Sequence, residues 1–85
     1  VKLTFTDSAW SDYEWWQSND RRILRRINKL IEDIKRNGYE GTGKPEALRH
    51  GLAGYWSRRI TQEHRIVYAI DDDAVVIISC RYHYE

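Results

Sequence analysis

Three residues in the C-terminal half of this sequence, Glu46, Arg65 and His83, supply a carboxylate, a guanidinium and an imidazole. Together those groups suit the metal-free cleavage of an RNA strand. A base must take the proton from the ribose 2′-hydroxyl, an acid must protonate the leaving 5′-oxygen, and cations must stabilise the crowded phosphorane. Carboxylate and imidazole have ordinary pKa values of about 4.3 and 6.5 and suit the two proton transfers. Arginine suits the third role, because its planar fork pairs with two phosphate oxygens. Each residue also has an ordinary reading. Glu46 after Pro45 fits a solvated loop acid, Arg65 after His64 a strand-end charge, and His83 a spectator near the terminus. Spacing alone does not bring them together.

Other polar residues make weaker sites. His50, His64 and His83 are fourteen and nineteen residues apart, which matches no short metal-ligand motif. Gly41-Thr42-Gly43-Lys44 lacks the spacing and the preceding strand of a nucleotide phosphate loop. No serine or cysteine nucleophile motif is present, and Cys80 reads as an inert thiol in a buried strand. Trp56, Tyr82 and Tyr84 are of a type that stacks on bases, and equally of a type that packs a core.

The elements that must position these groups follow from periodicity. Lys2–Thr6 alternates and predicts a short strand with Leu3 and Phe5 facing a core. A helix is expected from about Asp7 to Gln17, capped by Thr6 or Ser8, with Ala9, Trp10, Tyr13 and Trp16 on its apolar stripe and Trp15 beside it. A second helix over about 20–37 is the clearest element. Ile23, Leu24, Ile27, Leu30, Ile31 and Ile34 share one wide face, Asn19 or Asp20 can cap its start, and Gly38 can end it. Residues 38–54 carry too many glycines for a regular element and read as a long loop. Strands are expected over about 55–61, 64–71 and 74–84, joined by polar turns into antiparallel hairpins. The apolar run Ile66–Ile70 marks the middle one as central. The fold class is α+β, with two N-terminal helices on one face of a twisted, mainly antiparallel sheet and the other face left for the loop and a ligand.

The totals set bounds. Eighty-five residues make one domain, spanning 1–85. A chain of that size buries roughly 60–65% of the surface it exposes when unfolded. Its four Trp and six Tyr help, because each buries a large area for few torsions. One cysteine excludes an internal disulfide and a cysteine zinc site, and suits a reducing cytoplasm. No apolar stretch approaches the about 20 residues that span a bilayer, and no signal-peptide pattern opens the sequence, so a soluble cytoplasmic domain without a membrane partner is expected. Net charge is +1, but it is unevenly spread. Arg21, Arg22, Arg25, Arg26, Lys29, Lys35 and Arg36 crowd the second helix, and Lys44, Arg49, Arg58, Arg59 and Arg65 follow. Such surface is compatible with a polyanion, or with simple solvation of a helix face. Residue chemistry by itself ends at a small α+β domain with a basic, aromatic-flanked C-terminal half.

Four stretches carry a resemblance. They are Lys44-Pro45-Glu46-Ala47-Leu48-Arg49-His50, Tyr55-Trp56-Ser57-Arg58-Arg59-Ile60, Glu63-His64-Arg65-Ile66-Val67-Tyr68, and Cys80-Arg81-Tyr82-His83-Tyr84. In these motifs, their spacing and the Trp-containing first helix, the sequence closely resembles YoeB toxins of the RelE/ParE superfamily, nearly end to end. The resemblance implies a microbial-ribonuclease-like fold and a ribosome-dependent endoribonuclease that cleaves mRNA in the A site without a cofactor or metal. It implies Glu46 as general base, His83 as general acid, Arg65 on the phosphorane and Arg59 at the phosphate. Tyr84 would hold the scissile nucleotide, with Lys44, Arg49 and His50 lining the loop side. The implied partners are the ribosome with its mRNA and a YefM/Phd-type antitoxin. Promoter DNA would be bound only through the antitoxin complex, and homodimer formation stays open. The Arg-rich second helix would meet ribosomal RNA, a dense polyanion. Two departures stand out. Val1 replaces an expected methionine, and Glu85 follows Tyr84, where its carboxylate would favour a charged His83. Two rival readings are a gyrase inhibitor of the same fold and a non-catalytic RNA- or protein-binding module.

Overall fold

A computed structural model describes residues 1–82 of the chain. Five strands form one sheet: β1 (Lys2–Phe5), β2 (Glu46–Ala47), β3 (Trp56–Arg59), β4 (Arg65–Asp71) and β5 (Ala74–Ser79). Their spatial order is β1-β5-β4-β3-β2, so β4 is the central strand, as its apolar run predicted. All pairings are antiparallel except β1 with β5, which is parallel. A parallel pair needs a long crossover, and helices α1 (Asp7–Asn19) and α2 (Arg21–Asn37) open that connection.

The helices start and stop where local chemistry dictates. The Thr6 side chain accepts the Ala9 N–H and caps α1, while Asp20 accepts the Arg22 and Ile23 N–H groups and caps α2. Gly38 ends α2 at φ +68°, a conformation open to glycine. Ile27, Leu30, Ile31 and Ile34 of α2 and Ala9 and Trp16 of α1 pack on Ile66, Tyr68, Val75 and Ile77, forming the core on one face of the sheet. Arg21, Arg22, Arg25, Lys29, Lys35 and Arg36 stay exposed on the far side of α2.

The structure departs from the sequence-based expectations in five places. Leu3 and Trp10 do not enter the core. They are 40% and 48% exposed, because β1 is an edge strand and Trp10 covers the outer side of the Phe5 and Tyr13 rings. The first helix runs two residues longer than expected, to Asn19. The predicted loop over 38–54 contains strand β2 and a 3₁₀ turn at His50–Leu52. The last strand stops at Ser79, because the peptide groups of Cys80 bond to side chains of α1 instead of to the sheet. Arg58 is fully buried and is therefore no part of a basic surface.

Candidate active site

Alternation along the strands decides which side chains share a face. In the register of β3 with β4, Trp56 opposes Tyr68 and Arg58 opposes Ile66, all on the helix-covered side. The intervening residues therefore point the other way. Ser57 opposes Val67, both of them buried, and Arg59 opposes Arg65 on that side, away from the helices. Strand β2 adds its own residue to it, because Glu46 opposes Ser57. A carboxylate and two guanidiniums, from three adjacent strands, thus share the face the helices leave open.

Arg58 holds the loop that delivers Glu46. Nε donates to the Tyr68 hydroxyl at 3.2 Å, and Nη1 donates to the Asp33 carboxylate and to the Thr42 carbonyl. Nη2 donates to the carbonyls of Gly38 and Glu40 at 2.8 and 2.6 Å. Those bonds use all the donors a guanidinium has. The hydrogen bond from Arg58, seconded by the Thr42 backbone N–H, holds the Asp33 carboxyl down at about 2. At Gly41 a β-carbon would fall 2.0 Å from the Asp33 carboxylate, so only glycine lets the loop lie this close to α2. The Thr42 N–H donates to Asp33 at 3.1 Å, so this amide is spent inside the protein and does not form a phosphate cradle. Past Gly43, whose carbonyl accepts the Arg59 N–H at 2.7 Å, the loop runs along β3. Sequence reasoning missed this anchor. The signal lay in the Arg58-Arg59 pair, since alternation in a half-covered strand must turn one of two adjacent arginines inward.

Arg65 is oriented by the turn before it. The Thr61 hydroxyl accepts the N–H groups of Glu63 and His64 and shapes that turn. Arg65 Nη1 then donates to the carbonyls of Thr61, Gln62 and His64 at 2.9, 3.0 and 3.1 Å. Among the described residues the opposite Nε–Nη2 edge makes no hydrogen bond, and neither Arg65 nor Arg59 has a carboxylate partner. Like charges directly opposed across a strand pair repel. An anion on this face would relieve that repulsion, and a phosphate matches the open fork edge.

The remaining predicted residues are spread around this centre. Glu46, Arg49, His50 and Leu52 line a shallow cleft of about 260 Å³. Lys44 and His50 are exposed and adopt positive φ values of 52° and 60°. Trp56 stacks on Tyr39 at 4.5 Å and serves packing, whereas Tyr82 is exposed beside Arg81, 4.8 Å from its guanidinium. Burial pushes the Cys80 thiol up to about 12, with the Asp12 charge adding to the effect, so Cys80 is no nucleophile. His83, Tyr84 and Glu85 lie outside the described residues. Tyr82, the last described residue, is bonded through its backbone to His64 and Arg65.

Known proteins give this geometry a family. Residues 5–84 match the model of the YoeB-like toxin of bacterial type II toxin–antitoxin systems. Toxin YoeB of Escherichia coli K12 is 55% identical over 99% of this chain and 100% of its own length. A YoeB/ParE toxin from Agrobacterium tumefaciens superposes with a TM-score of 0.96 at 50% identity, covering 99% of this chain and 100% of that one. YoeB from Staphylococcus aureus, solved as a dimer and in complex with YefM, gives a TM-score of 0.92 in both forms. Its identities are 49% and 48%, over 99% of this chain and 98% of that one. With a family model and a relative that both run nearly end to end, the chain belongs to the YoeB-like toxins of bacterial type II toxin–antitoxin systems.

Proposed function

We propose that this toxin is a ribosome-dependent endoribonuclease that cuts mRNA in the A site and so stops translation. The reading rests on one observation above the others. Arg59 and Arg65 oppose each other on the same face as Glu46, and no ion pair among the described residues joins either arginine. The scissile phosphate would bind between the two guanidiniums, on the Nε–Nη2 edge of Arg65. Glu46 would take the 2′-hydroxyl proton, and the 2′-oxygen would attack the adjacent phosphorus. His83, the residue after Tyr82, would protonate the departing 5′-oxygen, leaving a 2′,3′-cyclic phosphate and a 5′-hydroxyl. These proton transfers need no metal or cofactor. Tyr84 would stack on the scissile nucleotide, and Lys44, Arg49 and His50 would steer the strand along the β2 side.

The whole chain, 1–85, would act as one toxin domain in the bacterial cytoplasm. Its partners would be the ribosome and a YefM/Phd-type antitoxin, as the S. aureus relative has YefM. Promoter DNA would be reached only through that complex, and the S. aureus dimer supports a homodimer for the free toxin. Among the described residues no helix is long and apolar enough to cross a membrane.

Primer extension on a defined mRNA held in bacterial ribosomes tests the reaction, comparing the unaltered chain with a Glu46→Gln/His83→Gln variant. A cut at the A-site codon that disappears in the variant supports the reading. No cut by the folded, unaltered chain on programmed ribosomes overturns it in favour of a binding module, with gyrase inhibition the next assay.

A further inference from the structure

A general acid must sit within hydrogen-bond reach of the atom it protonates, so the backbone leading to it must be held in place. Among the described residues the strand that leads toward it, β5, stops at Ser79. Side chains take over the backbone that follows. The Asp12 carboxylate accepts the Cys80 N–H at 3.0 Å, and the Trp16 indole N–H donates to the Cys80 carbonyl at 2.8 Å. The Arg81 guanidinium lies 3.6 Å over the Trp15 ring. The Tyr82 N–H donates to Nδ1 of His64 at 2.7 Å, and the Tyr82 carbonyl accepts the Arg65 N–H at 3.0 Å. Trp16 ties the two halves together, since His64 packs edge-on against it with centroids 4.7 Å apart.

Tyr82 shows that this hold does work on the backbone. Its φ of 62° is unfavourable for a residue with a side chain, and such a conformation persists only where the surroundings impose it. It falls one residue before His83 and beside Arg65. Ordinary core packing explains Trp16, but not why a carboxylate and an imidazole both spend an acceptor on peptide N–H groups of the last described residues.

We propose that Asp12, Trp16 and His64 form a clamp that positions the C-terminal acid for the cleavage step, with His64 as its decisive member. None of the three is a catalytic residue, and each acts through the backbone of Cys80 or Tyr82. The proposal rests on the reading of His83 as the general acid.

The experiment is a double-mutant cycle in programmed ribosomes, with kcat and KM measured for the unaltered chain, His64→Leu, His83→Gln and the double variant. His64→Leu is expected to lower kcat about 10- to 100-fold, the cost of displacing a reacting group by about 1 Å, and to leave KM for the ribosome unchanged. In the His83→Gln background the same change should have no further effect, because the group it positions is gone. His64→Asn, whose side-chain oxygen replaces Nδ1 as acceptor, should recover most of the rate. Asp12→Ala repeats the test from α1 and carries it if His64→Leu does not fold. Full kcat in both His64→Leu and Asp12→Ala, with His83→Gln impaired, overturns the clamp and leaves the acid assignment standing. Multiplicative losses in the double variant likewise overturn it, marking His64 as a structural residue. Cleavage by His83→Gln at the unaltered rate instead overturns the acid assignment itself.

Discussion

Arg58 and Arg59 are neighbours in the chain and opposites in the fold. The pleat of β3 turns Arg58 under the helices, where it is completely buried and every N–H finds an acceptor. It turns Arg59 to the open face, where it is exposed and set against a second arginine. A charge left without partners in the interior would cost far more than the fold could supply, so the buried arginine is surrounded by Asp33, Tyr68 and three carbonyls. The open face tolerates two like charges because water screens them, and an anion arriving there would pair with both. One arginine holds the loop that carries Glu46, and the other helps form the surface that the loop completes.

The largest effect expected from this contrast is on stability. Arg58→Met should cost about 3–5 kcal/mol in urea denaturation, because the Gly38, Glu40 and Thr42 carbonyls and the Tyr68 hydroxyl all lose their donor. Arg59→Met should stay within about 0.5 kcal/mol of the unaltered protein while its cleavage rate falls. Equal destabilisation by the two substitutions would break the comparison. On the open face, Arg65→Lys should slow cleavage about 100-fold or more, well beyond what the loss of its bonds to the turn carbonyls does to stability, because an ammonium cannot reproduce the two-point phosphate contact. Near-normal turnover would reduce Arg65 to a diffuse charge.

The smallest effect is on acid stability. The Asp33 carboxyl sits at about 2 in the folded chain against an ordinary 3.8, mainly through its hydrogen bond from Arg58. Its contribution is therefore fully present above pH 3.8 and is lost as pH falls from there toward 2. Acid titrations of the unaltered chain and Asp33→Asn, followed by circular dichroism, should show a shallower loss for the variant across that window. Identical slopes would mean that Arg58 is held by its carbonyl partners alone.

How much of this was legible in the sequence depends on how long each signal runs. The second helix and the central strand announce themselves because many apolar residues repeat in phase, and their packing follows that phase. Strand β2 does not, since Glu46 and Ala47 are too few to show a period and glycines surround them. The types of the candidate residues were readable, but the meeting of Glu46, Arg59 and Arg65 on one face was not, because that depends on the pairing of Glu46 with Ser57. Arg58 was hidden by its own charge, which reads as surface until Asp33 is brought to it from a different element. The early end of β5 was likewise invisible, because it depends on two side chains of α1 more than sixty residues away.

The central claim is that the open face cuts RNA by attack of a ribose 2′-hydroxyl, and the most direct test removes that hydroxyl. Ribosomes would be programmed with mRNAs carrying a single 2′-deoxynucleotide at each A-site position in turn, and the products mapped. Cleavage should be lost when the substitution lies on the 5′ side of the scissile bond and retained when it lies elsewhere in the codon. Cleavage of that same bond with its 2′-hydroxyl removed would contradict the account.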